Sequence, residues 1–137
     1  MSRFYSIDEA NEQLAHVAPL LEHLAAQRLD LIRLRDRVVT VGSGGPGEAD
    51  EADEGDEELR RLRLRMQGII DQMQADVARI DALDIALRDI ETGLIDFPAL
   101  VSGRQVWLCW RLGEAAVDSW HDLSTGFAAR QPLSELA

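Results

Sequence analysis

The chain holds 137 residues, 46% of them hydrophobic, with one cysteine and a formal net charge of −11. That length suits one domain with a core of its own and is too short for two. No apolar run approaches the roughly 18 residues of a membrane-crossing helix, the opening MSRFYSIDEANEQ lacks a secretory signal's apolar stretch, and Cys109 has no internal partner, which excludes a spanning helix and a disulfide scaffold and points to the cytoplasm.

The charge is unevenly spread. Residues 48–58 hold 8 acids and no base, and without them the net charge of −11 becomes −3. Acidity of this kind argues against general affinity for nucleic acid. The basic run RRLRLR (60–65) follows these acids directly, and pairs such as Asp56–Arg60 and Glu57–Arg61 make it a solvated helix face.

Ser6-Ile7-Asp8-Glu9 has the S-x-x-E form of a capping box, in which the serine and glutamate side chains each take a free backbone N–H. From there Ala10, Leu14, Val17, Leu21, Leu24, Leu31 and Val38 recur at helical spacing and predict a helix over about 7–39, with Pro19 inside it. The Gly-rich, then acidic stretch 42–55 has nothing to bury and predicts a mobile linker. Leu59, Leu62, Met66, Ile69, Met73, Val77, Ile80 and Leu87 predict a second helix over about 57–90, antiparallel to the first. Both helices carry further apolar residues off the main stripe, Leu29, Ile32 and Leu64 among them. Either the C-terminal segment or a second copy of the chain would cover these, and the simplest closure is a coiled-coil-like homodimeric four-helix bundle.

After Glu91 the period changes. GLIDFPALV (93–101) and RQVWLCWRL (104–112) are strand-like runs separated by Ser102-Gly103, a hairpin turn. Alternation sends Val106, Leu108, Trp110 and Leu112 to the core and Trp107, Cys109 and Arg111 to the other face. AAVDSWHDL (115–123) reads as a third strand. The alternative is a helix, on which Glu114, Asp118 and His121 would share a face. The fold class is α+β, a long antiparallel two-helix hairpin followed by a small antiparallel meander over 93–123 and a tail over 124–137.

Taken in order, GLIDFP, CWRLGE, WH and GFAARQP, with FYSIDEAN near the start, resemble the bacterial family catalogued as domain of unknown function 2203. The resemblance covers the whole chain apart from the acidic stretch. It implies membership and no particular reaction. Where members commonly carry a glycine between Phe127 and Arg130, this chain has Ala128-Ala129.

The candidate site comprises Asp89, Asp96, Glu114 and His121. Carboxylate oxygens and an imidazole nitrogen suit Zn2+, Mn2+ or Fe2+, and a meander brings the segments that carry them together. No H-x-x-x-H spacing reinforces the set. The competing roles are structural: Asp96 caps a turn, Glu114 pairs with Arg111 or Arg104, and His121 bonds a backbone carbonyl. If the site forms, strand parity puts His121 on the Arg111 face, partly accessible, with Glu114 at the strand end. Cys109 with His121 as nucleophile and base competes with the commoner role of a mid-strand cysteine as a small buried hydrophobe. Arg111 and Arg130 are candidates for an anion or partner contact, although Arg130 would equally tie the tail to Asp122 or Asp118. Two functional readings stand, a homodimeric assembly module with an unnamed protein partner, and a metal-binding protein or metal-dependent enzyme.

Overall fold

The computed structural model describes residues 3–42 and 49–135, with side chains over 3–42 and 54–134. Two long helices precede a five-stranded antiparallel sheet, an α+β chain. One compact unit is built from residues 1–25 and 76–137, the other from 26–75.

Helix α1 spans Ile7–Gly42, and the capping box at its start is formed. The Glu9 N–H donates to Ser6 Oγ and the Ser6 N–H to Glu9 Oε1, each at 3.1 Å. Helix α2 spans Ala49–Ala82, which corrects the predicted second helix and the linker at once. Ala49–Gly55 is helical, since alanines and glutamates favour helix and acids suit its positive end, while 43–48 lies outside the described residues. At the other end α2 stops eight residues before the expected position 90, at Ala82. Asp84 turns into the left-handed region with φ 59°, and the Leu83 and Asp84 N–H groups donate to the carbonyls of Ile80 and Asp81. Leu87 fits the helical spacing from Ile80 but belongs to a strand.

In the 26–75 unit the helices are tied by Gln27 Nε2 donating to Gln72 Oε1 at 3.1 Å and by the Arg37–Glu58 pair at 2.7 Å. Glu58 therefore serves the facing helix, whereas Glu57 pairs with Arg61 one turn on at 2.9 Å. Leu34 and Leu62 are buried. In the other unit His23 Nδ1 lies 2.7 Å from the buried carboxylate of Asp76.

The strands follow one another in chain order: β1 Ala86–Asp89, β2 Leu94–Val101, β3 Arg104–Arg111, β4 Ser119–His121 and β5 Gln131–Pro132. Within 115–123 the strand reading holds for only three residues, and none of the segment is helical. The three-strand meander is thus extended at both edges. Ser102 and Gly103 both have positive φ, 51° and 78°, giving the tight primed turn that fixes the β2–β3 register. Phe127–Ala129 forms a short 3-10 turn, made without positive φ at Ala128 or Ala129.

One face of the sheet supplies Ile95, Phe97, Ala99, Val106, Leu108, Trp110 and Trp120, all buried together with Ala10, Val17, Leu21, Leu24 and Ile80 of the helices. Tyr5 joins this core edge-on to Phe97, with ring centroids 5.1 Å apart. Asn11 on α1 accepts the Val117 N–H at 2.8 Å through its side-chain oxygen. Beyond the end of β1, the outward edge of β2 meets the N-terminal segment, where the Tyr5 N–H donates to the Pro98 carbonyl at 2.7 Å.

Gly93, between β1 and β2, has φ +68°, and a Cβ there would lie 2.6 Å from Leu112 Cβ. Gly93→Ala is expected to cost about 1–3 kcal/mol, from left-handed strain together with the forced shift of Leu112. A denaturant midpoint unchanged from wild type would show that this approach is not constrained.

Candidate metal centre

The sheet's second face carries the chemistry. In the β2–β3 register Asp96 lies opposite Cys109, Pro98 opposite Trp107 and Leu94 opposite Arg111. In the β3–β4 register Trp107 lies opposite His121 and Cys109 opposite Ser119. Opposed residues share a face, so Asp96, Cys109 and His121 meet on three adjacent strands. Their ligand atoms all lie within 4.8 Å of one another, and among the described residues this is the group of three or more side chains arranged to hold a metal ion. The expectation that His121 stands on the Arg111 face agrees with the register. Its expected partial accessibility does not, since His121 is 3% exposed.

Each side chain is held from outside the cluster. Asp96 Oδ1 is 3.0 Å from His121 Nε2, and Asp96 Oδ2 accepts from Arg88 Nε at 2.9 Å. Arg88, on β1, in turn lies over the Trp107 ring at 4.9 Å. His121 Nδ1 is 2.9 Å from the Asp122 carbonyl. The Asp122 carbonyl and the Asp96 carboxylate both only accept, so each ring nitrogen faces an acceptor, and Nε2 is the one directed at Asp96. Burial, with the Asp96 charge adding to it, pushes the Cys109 thiol up to about 12, against an opposing pull from the Arg130 guanidinium. A thiol this hard to ionise is no activated nucleophile. His121 is also directed at Asp96 and a carbonyl rather than serving as a base for sulfur. The nucleophile–base reading of Cys109 and His121 therefore has no support in the geometry.

The other candidates go elsewhere. Asp89 caps the β1–β2 turn, accepting from Thr92 Oγ1 at 2.6 Å and from the Thr92 N–H at 3.2 Å. Glu114, at the turn after β3, accepts the Arg111 N–H at 2.8 Å and takes Arg130 on both oxygens, Nη1 to Oε1 at 2.9 Å and Nη2 to Oε2 at 2.8 Å. It thus pairs with Arg130 rather than with the side chain of Arg111 or Arg104. Arg104 holds Asp122 at 2.9 Å. The guanidinium groups of Arg111 and Arg130 lie 5.0 and 4.2 Å from the centre of the Phe127 ring. Arg130 is also close enough to Cys109 to oppose the rise of its thiol. Cys109 is the member of the cluster that was not among the expected ligands, and the signal that finds it is the parity of β3, which puts it on the Arg111 face.

Fold and site together define a small α+β protein with a sealed cluster of oxygen, sulfur and nitrogen donors on the outer face of a meander. Residues 3–133 match the family model described as an uncharacterized conserved protein (DUF2203), and the chain belongs to that family. No curated protein and no solved structure matches the chain.

The Arg130–Glu114 pair gives a pH-dependent term. Burial alone would raise the Glu114 carboxyl, but hydrogen bonds from Arg130 and from the Arg111 N–H prevail and hold it below its ordinary 4.5. Because the folded value is the depressed one, the stabilisation is complete above the unfolded value and is lost as pH falls through the folded one. Urea unfolding at neutral pH and at steps below 4.5 is expected to show acid destabilisation that is smaller in Arg130→Met, where the Arg111 N–H alone still holds Glu114. Parallel pH profiles for the two proteins would remove this pair from the acid response.

Proposed function

We propose that the protein binds a divalent transition-metal ion, zinc foremost, through Asp96 oxygen, Cys109 sulfur and His121 Nε2. The observation that supports this reading is the convergence of three different donor types from three neighbouring strands within 4.8 Å. A thiolate favours zinc or iron over manganese. Loss of the thiol proton on binding and the Asp96 charge would supply two negative ligands to balance the ion, and this holds sulfur as thiolate despite its burial. The Nδ1–carbonyl contact of His121 and the Arg88 contact of Asp96 are the outer partners that orient metal ligands. With side chains 3–4% exposed at His121 and Asp96, the reading is a buried ion that joins β4, only three residues long, to β2 and β3, with a fourth coordination position outside these three side chains.

Purified protein is expected to carry about one equivalent of zinc, the stoichiometry of a single three-residue centre. After cobalt exchange it should show a sulfur-to-cobalt charge-transfer band in the near ultraviolet. Cys109→Ser should abolish the band, and His121→Ala should release the ion. Absence of metal by elemental analysis, with no cobalt band after loading, would overturn the reading.

A second reading, homodimerisation through the helices, has its own support. Leu29 and Val39 are 49% and 63% exposed, and half-buried Ile32 lies between them on the same side of α1. Light scattering at micromolar concentration is expected to give twice the monomer mass, and Val39→Glu to give the monomer mass with helix content retained. A wild-type monomer would refute it.

A further inference from the structure

An ion among three side chains so little exposed enters or leaves only if a covering segment moves. The loop between β4 and β5 starts at Asp122, which pairs with Arg104, and its Phe127 comes against Arg111, a residue of the donor face. Phe127 also rests against Arg130, whose guanidinium is held on both oxygens of Glu114 and lies near enough to Cys109 to influence its thiol. Few fastenings hold the segment down. The β4–β5 pairing has two register positions, and Pro132 in one of them has no N–H to give. The Leu133 N–H donates to the Asp118 carbonyl at 2.9 Å. The Arg104–Asp122 pair is 61% and 43% exposed, where an ion pair contributes little. The Arg130–Glu114 pair is two-pronged, and its side chains are 24% and 20% exposed, the sheltered geometry in which a guanidinium–carboxylate contact is strong and directional.

From this contrast we infer that Arg130 and Glu114 form the latch of the metal centre, so that opening of this pair sets the rate at which an ion is taken up and released. The inference rests on the metal reading above. Arg130 acts here as a positioning residue, holding the tail closed over Cys109, and Glu114 acts through Arg130 and touches no ligand.

The test uses the full chain loaded with Co2+ and mixed with excess EDTA, following loss of the sulfur-to-cobalt band by stopped flow. Glu114→Gln is expected to speed both release and uptake by about tenfold or more, as loss of a charge-assisted two-pronged contact implies. Affinity, the ratio of the two rates, should move less than either. Glu114→Asp, which keeps the charge and shortens the reach, should also exchange faster and serves if the glutamine variant does not fold. Arg104→Gln, which removes the exposed fastening, should exchange at the wild-type rate. Wild-type rates in a folded Glu114 variant would overturn the latch while leaving the metal reading standing, and equal acceleration by Arg104→Gln would also overturn it. A wild-type chain showing no cobalt band would instead remove the metal reading itself.

Discussion

Asp96 is a carboxylate in the middle strands of a sheet, with a side chain only 4% exposed, and its charge has to be matched locally. An isolated buried charge costs several kcal/mol, so the surrounding strands are constrained to supply partners. β1 supplies Arg88 and β4 supplies His121, while β3 between them supplies Cys109. The order and register of the sheet follow from this demand as much as from its apolar face. A one-residue slip of β2 would turn Asp96 into the core beside Leu108 and Trp110 of β3 and turn Ile95, Phe97 and Ala99 outward.

The turns guard that register. The two-residue Ser102-Gly103 connection allows one alignment of β2 with β3, and Gly93 lets the Leu112 backbone and side chain come close at the other end. At the end of β3, Glu114 closes the turn on the Arg111 N–H and clasps Arg130, so one side chain serves both a local turn and the returning tail. The tail is thereby brought against the end of β3, with Phe127 beside Arg111 and Arg130. A local turn and the docking of the returning tail are thus two outcomes of the same few residues.

The first helix was legible because its signals were redundant: a capping box, an apolar stripe and a Gly-rich end. The end of α2 was not, because Leu87 satisfies helical spacing from Ile80 and strand alternation alike, and the deciding event is a left-handed Asp84. β2 and β3 were legible from composition and their turn. β1 and β5, of four and two residues, are too short to carry a pattern of their own. In the cluster, parity was enough to place His121 on the Arg111 face. It was not enough to tell which carboxylates turn inward, since Asp89 and Asp96 look alike in sequence and only packing makes one a turn cap and the other a buried anion. Cys109 reads equally as a small apolar residue until its cross-strand neighbours are known.

The rim of the sheet also bears on how copies of this chain can meet. β1 is short and irregular between Leu87 and Asp89. Beyond it Pro98 offers no N–H, and its carbonyl is already taken by Tyr5. At the opposite rim, β5 is two residues long and one of them is Pro132. Strand-by-strand polymerisation needs an open ladder of donors and acceptors, and neither border provides one. Growth of the sheet from molecule to molecule is thus discouraged on both sides.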